Sequence, residues 1–109
     1  MSDALVSVGS AGDLPEGEMR LAHLPCGRAV AVYHVGGAFY ATDDACTHGQ
    51  ASLTDEGMLM EYKIYCGWHG GAFDIRTGEA LDLPCMDDIR TYKVVECDGE
   101  LLLHSVAVE

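Results

Sequence analysis

A chain of 109 residues that is 49% hydrophobic and 22% charged has enough apolar surface for one core and too little length for two, so a single globular domain over 1–109 is expected. Eighteen acidic against six basic side chains give a formal net charge of -12, which excludes nucleic acid and anionic membrane surfaces as partners and favours basic proteins.

The first twenty residues offer neither a basic leader nor an apolar stretch, the first cationic side chain being Arg20. The longest uncharged run, Ala29 to Thr42, is too short and too broken by His34, Gly36 and Gly37 to span a bilayer. A cytoplasmic, monomeric protein without a membrane anchor is therefore expected.

Short strands dominate the rest of the chain. "RAVAVYHV" and "AFYAT" flank Gly36-Gly37, a pair that supplies positive φ at no steric cost and so predicts a hairpin. A Cys and a His then stand close together, Cys46-x-His48, ahead of Gly49, and a short helical turn is expected near Leu53 to Met58. "MLMEYKIYC" leads into a second pair, Cys66-x-x-His69, ahead of Gly70 and Gly71, and "GAFDI" leaves it toward turn chemistry at Thr77-Gly78. Near the end, "TYKVVEC" and "ELLLHSV" flank Asp98-Gly99, a strong hairpin signal. No stretch combines helical periodicity, a cap and a helix-like length, so the fold is expected to be all-β. An antiparallel sandwich or barrel built from both ends of the chain should carry a smaller subdomain, about 45–84, with both Cys/His pairs on loops at strand ends.

Two thiolates and two imidazoles suit either one zinc ion or a two-iron, two-sulfide cluster. Structural zinc sites usually draw on a Cys-x2-4-Cys knuckle, and neither loop has that form. Seventeen residues separate His48 from Cys66; if two irons are bridged by sulfide instead, each loop can give its Cys to one iron and its His to the other, and the pairs then act as equivalent halves of one clamp. Gly49, Gly70 and Gly71 would let backbone N–H groups approach the sulfides. Formal charge gives the histidines a purpose: two ferric ions, two sulfides and two thiolates sum to about zero, whereas four thiolates would give about -2 and a cluster that accepts an electron less readily.

"CTHGQASL" together with "YCGWHGGAFDIRTGEAL" resembles the Rieske iron-sulfur signature, and most closely the small Rieske-type ferredoxins of bacterial aromatic-ring-hydroxylating oxygenase systems. The likeness extends over "YATDDACTHG", "RTGEALDLPC" and "YKVVECDGELLL", which is most of the chain. It implies the Rieske fold and one [2Fe-2S] cluster, with Cys46 and Cys66 on the buried iron and His48 and His69 on the outer one. It also implies a role as one-electron carrier between an NAD(P)H-dependent flavin ferredoxin reductase and a terminal oxygenase. Only forty residues follow His69, with His104 the sole further histidine, so the chain is not expected to be the oxygenase itself. A Rieske-like small subunit of a nitrite reductase and a structural zinc module remain the alternatives.

Two departures from the family are visible. Gly67 stands where a Pro commonly follows the second ligand Cys, and the disulfide that clamps the loops of respiratory-chain Rieske proteins has no counterpart, since its positions hold Gln50 or a neighbour, and Trp68. Gly71 and Phe73 replace hydroxyl-bearing residues near the cluster, which with the surrounding carboxylates places the potential near the low end of the Rieske span of roughly -150 to +300 mV. Trp68, Gln50 and Leu83-Pro84 are expected to rim the electron exit, Cys85 to shield it, and Asp43, Asp44, Asp87 and Asp88 to steer a basic partner. Cys26 and Cys97 are expected to be non-ligand thiols, and His23, His34 and His104 surface or hydrogen-bonded residues.

Overall fold

A computed structural model of the chain describes residues 5–45, 52–66, 71–82, 88–105 and 108. In chain order the strands are β1 (Leu5–Ser10), β2 (Met19–His23), β3 (Ala29–Val35), β4 (Ala38–Asp43), β5 (Met58–Met60), β6 (Lys63–Tyr65), β7 (Ala72–Asp74), β8 (Ala80–Asp82), β9 (Thr91–Tyr92), β10 (Val94–Cys97) and β11 (Glu100–His104). One helical turn, α1 (Leu53–Glu56), lies between β4 and β5, and a 3-10 turn covers Ala11–Asp13. Among the described residues no helix is long and apolar enough to cross a membrane.

The strands form three antiparallel sheets, ordered β1-β11-β10, β2-β3-β4-β9 and β5-β6-β7-β8. Side chains alternate across a strand, and β3 uses both faces. Its Val30 and Val32 join Val8, Ala41, Tyr92, Leu101 and Leu103 in one core, while its Ala31, Tyr33 and Val35 join Leu53, Ile64, Cys66, Phe73, Ile75 and Ile89 in another. The middle sheet is therefore covered on both sides. "AVAVYHV" is nearly continuous apolar sequence for that reason, not an inside-outside alternation. Burial also pushes the Tyr33 phenol far up in pKa, and its hydroxyl meets Thr42 Oγ1 at 2.8 Å.

Both expected hairpins are present. Gly36 and Gly37 have φ of 64° and 80°, and Asp98 and Gly99 of 52° and 81°, the double positive φ that matches the twist of flanking strands. The Gly36 and Gly37 N–H groups both donate to the Glu16 carboxylate, at 2.6 and 2.9 Å, and these backbone donors hold that carboxyl below its usual range.

Two expected strands are divided. "MLMEYKIYC" folds into the β5–β6 hairpin through Glu61, whose φ is 55°, and Tyr62. "TYKVVEC" breaks at Lys93, so that β9 pairs with β4 in one sheet while β10 pairs with β11 in another.

Candidate metal centre

Strand β6 delivers Cys66 to the end of the third sheet, where it is 1% exposed among Leu53, Ile64, Phe73 and Ile75. The Cys66 N–H donates to the Gly71 carbonyl at 2.6 Å, and Tyr65 pairs with Ala72, so the feet of segment 67–70 are tied together. His69, Trp68, Gly67 and Gly70 lie outside the described residues.

The first Cys/His segment is closed in the same way. Ala45 bridges to Ser52, and the Leu53 N–H donates to the Asp44 carbonyl at 2.8 Å. Cys46, His48, Gly49 and Gln50 lie outside the described residues, but both feet of their segment are fixed. Leu53, at the outgoing foot, is fully buried in the same core as Cys66. The chain leaves α1 in a tight space: a methyl group on Gly57, just after the helix, would stand 2.5 Å from the Leu53 carbonyl oxygen and 3.0 Å from that of Tyr65. Both segments are rooted in one apolar cluster.

The feet of a third segment lie at the same end of the sheet. Ala72 pairs with Asp82 as well as with Tyr65, so residues 83–87 leave from the edge of the sheet where Cys66 sits. Their return is pinned by an Asp88 carboxylate that accepts the Ala80 N–H at 3.0 Å and by Ile89, buried beside Cys66 in the core. Leu83, Pro84, Cys85 and Asp87 lie outside the described residues.

The domain model for the Rieske [2Fe-2S] domain matches residues 4–93. This chain belongs to that family. Rieske domains hold one [2Fe-2S] cluster, and the described residues fit it: a buried Cys at a sheet end, N–H and carbonyl groups paired at the feet of both loops, and an apolar floor beneath them. Among similar proteins, the ferredoxin component of the p-cumate 2,3-dioxygenase system of Pseudomonas putida is 44% identical over 99 residues, covering 91% of this chain and 84% of that protein. Ferredoxin CarAc of Metapseudomonas resinovorans is 40% identical over 101 residues, covering 93% and 94%. The ferredoxin in a complex of reduced oxygenase and oxidized ferredoxin in carbazole 1,9a-dioxygenase superposes with a TM-score of 0.91 at 37% identity, covering 96% of each chain. The Sphingomonas yanoikuyae B1 ferredoxin gives 0.87 at 37%, covering 94% of this chain and 100% of that one.

The carboxylates expected to steer a partner fall into two groups. Asp44 is 5% exposed and turned inward, accepting hydrogen bonds from the Ser52 hydroxyl, the Thr54 N–H and the Thr54 hydroxyl. Asp43 accepts from the Tyr92 phenol and Arg90 Nε, with Arg28 at 3.9 Å. Both carboxylates are committed to hydrogen bonds within the fold, and Asp88 alone of the described candidates is exposed. A sequence signal for the Asp44 network existed in "SLTDE", where Ser52 caps α1 and accepts the Asp55 N–H, which marks Ser52 as a structural residue. Cys26 and Cys97 are exposed. His34 is held by the Leu14 carbonyl at 2.8 Å and stacks on Phe39, as a hydrogen-bonded non-ligand histidine would.

Proposed function

We propose that this protein is a one-electron carrier that accepts electrons from an NAD(P)H-dependent flavin ferredoxin reductase and delivers them to a terminal aromatic-ring-hydroxylating oxygenase. The observation that carries this reading is the end-to-end match with small ferredoxins, 96% of each chain in the case solved with its oxygenase. The same match favours a carrier over a nitrite reductase subunit or a zinc module.

In this proposal Cys46 and Cys66 hold the inner iron, His48 and His69 the outer one, and 45–84 acts as the cluster-binding subdomain on a basal β domain. The cluster, when bound, supplies reversible one-electron chemistry. The chain supplies the setting. Cys66 is shielded from water by Leu53, Phe73 and Ile75, so its sulfur sits in a low-dielectric floor. Electrons leave through the outer, histidine side, rimmed by Trp68, Gln50 and Leu83-Pro84. The midpoint lies near the low end of the Rieske span, which suits a carrier charged by a flavin, and the carrier works as a monomer in the cytoplasm.

Anaerobically isolated protein should be red-brown and contain two irons and two inorganic sulfides per chain. Stopped-flow mixing with NADH and a flavin ferredoxin reductase should bleach it, and a ring-hydroxylating oxygenase should restore the colour. Serine at Cys46 or Cys66 should abolish the spectrum. Colourless protein containing zinc, or substitutions that leave the spectrum untouched, would exclude the proposal.

A further inference from the structure

The carboxylate of Asp44 joins the two sides of the first Cys/His segment. Asp44 precedes that segment, and Ser52 and Thr54 follow it. One carboxylate oxygen accepts the Ser52 hydroxyl at 2.5 Å; the other accepts the Thr54 N–H at 2.9 Å and the Thr54 hydroxyl at 2.8 Å. The Asp44 carbonyl takes the Leu53 N–H, and its own N–H donates to the Ala29 carbonyl at 3.1 Å. Asp44 is thus bolted to the middle sheet on one side and to α1 on the other.

A nearly buried carboxylate is costly unless its lone pairs are used, and here three donors from two residues use them. The arrangement is therefore specific: neither Ser52 nor Thr54 can swing away without stranding the acid. Ser52 is doubly committed, because its oxygen also accepts the Asp55 N–H at the start of α1. The other loop has no equivalent side chain at its feet among the described residues; it closes through the backbone pair between Cys66 and Gly71. The first loop thus carries a side-chain clasp in addition to a backbone closure like that of the second.

We infer that Asp44 is a positioning residue that clasps the feet of the first ligand loop and so sets how firmly that loop holds the cluster. The inference rests on the proposed placement of Cys46 and His48 on that loop. Without the clasp, the loop can open between Ala45 and Ser52 while both cores stay packed, so cluster loss should outrun loss of fold.

The test is chelator-driven bleaching of the cluster-loaded protein, monitored by visible absorbance and by the electron paramagnetic g-values after reduction. Asp44→Ala should bleach at least tenfold faster than wild type and shift the g-values. Asp44→Asn, whose remaining oxygen still accepts from Thr54, should recover most of the retention. Val8→Ala, in the core on the other face of β3, should lower the melting temperature comparably and leave bleaching within twofold. Should Asp44→Ala fail to fold, Ser52→Ala, which removes one arm of the clasp, should bleach about threefold faster. Wild-type bleaching in Asp44→Ala and Ser52→Ala, or equally fast bleaching in Val8→Ala, overturns the inference. A Cys46→Ser protein that kept the wild-type spectrum would instead overturn the ligand assignment beneath it.

Discussion

The Tyr92 phenol donates a hydrogen bond to the Asp43 carboxylate at 2.5 Å, next to the short pairing of β9 with β4. Burial first, and the neighbouring carboxylate second, push the ionisation of Tyr92 up to about 12 from an ordinary 10.0. The folded chain thus holds that proton more tightly than the unfolded one. Its contribution to stability is complete below about pH 10 and is lost as the pH climbs toward 12. Tyr92→Phe should make the alkaline decline in melting temperature shallower, and at neutral pH should cost about 1–2 kcal/mol, because Asp43 loses a donor. Calorimetry across pH 7–12 checks both.

Asp74 gives the opposite limb. Arg76 donates to it from Nε at 3.1 Å and Nη2 at 2.9 Å, and this pairing keeps its carboxyl below the ordinary 3.8. A lowered carboxyl stabilises the fold above its unfolded pKa and ceases to do so as acid protonates it, so the contribution disappears below about pH 4. Asp74→Asn should flatten the acid limb of the stability curve. Arg76→Ala should do so too, and should in addition remove the guanidinium that lies 4.2 Å over the Tyr62 ring. Urea midpoints from pH 2 to 6 separate the variants.

Gly57 is required for space. Its backbone is extended rather than left-handed, with φ of -81°, yet a methyl there meets backbone oxygens of both Leu53 and Tyr65. Gly57→Ala must shift the end of α1 or the backbone at Tyr65, which should cost about 1–3 kcal/mol. Because Tyr65 precedes Cys66, the iron content of purified Gly57→Ala should fall as well. Iron per chain alongside a thermal melt shows whether the two losses travel together.

Docking by charge should depend on the exposed acids near the loops. Asp55 and Glu56 on α1, and Asp88 beside the third segment, are exposed, whereas Asp43 and Asp44 are committed inside the protein. Neutralising Asp55, Glu56 and Asp88 together should slow reduction by the reductase at low salt severalfold and weaken its ionic-strength dependence. Tyr92→Phe, which leaves every charge in place, should keep the wild-type salt dependence.

Legibility in the sequence tracks the range of each interaction. Gly36-Gly37 and Asp98-Gly99 were readable because a two-residue turn carries its own conformational demand. The β5–β6 hairpin was not, since Glu61 takes a left-handed φ without the glycine that advertises one. The division at Lys93 likewise has no local mark; it comes from β4 and β11 competing for adjacent residues. Asp44 shows the limit most clearly. An acid in "TDDAC" suggests an exposed charge, and only the folded path of Ser52 and Thr54 turns it inward. Of the four expected ligands, Cys66 lies at a sheet end and is deeply buried, whereas Cys46, His48 and His69 fall outside the described residues.

The pairing of β1 with β11 also bears on how the molecule is made. Leu5 lies opposite His104, so β1 waits for a strand synthesised long after it, whereas β5 to β8 are joined by successive hairpins and need only their immediate neighbours. Contacts that are short in sequence form first. During translation, the half that would receive iron can therefore take shape on the ribosome while the opposite sheet still lacks its central strand.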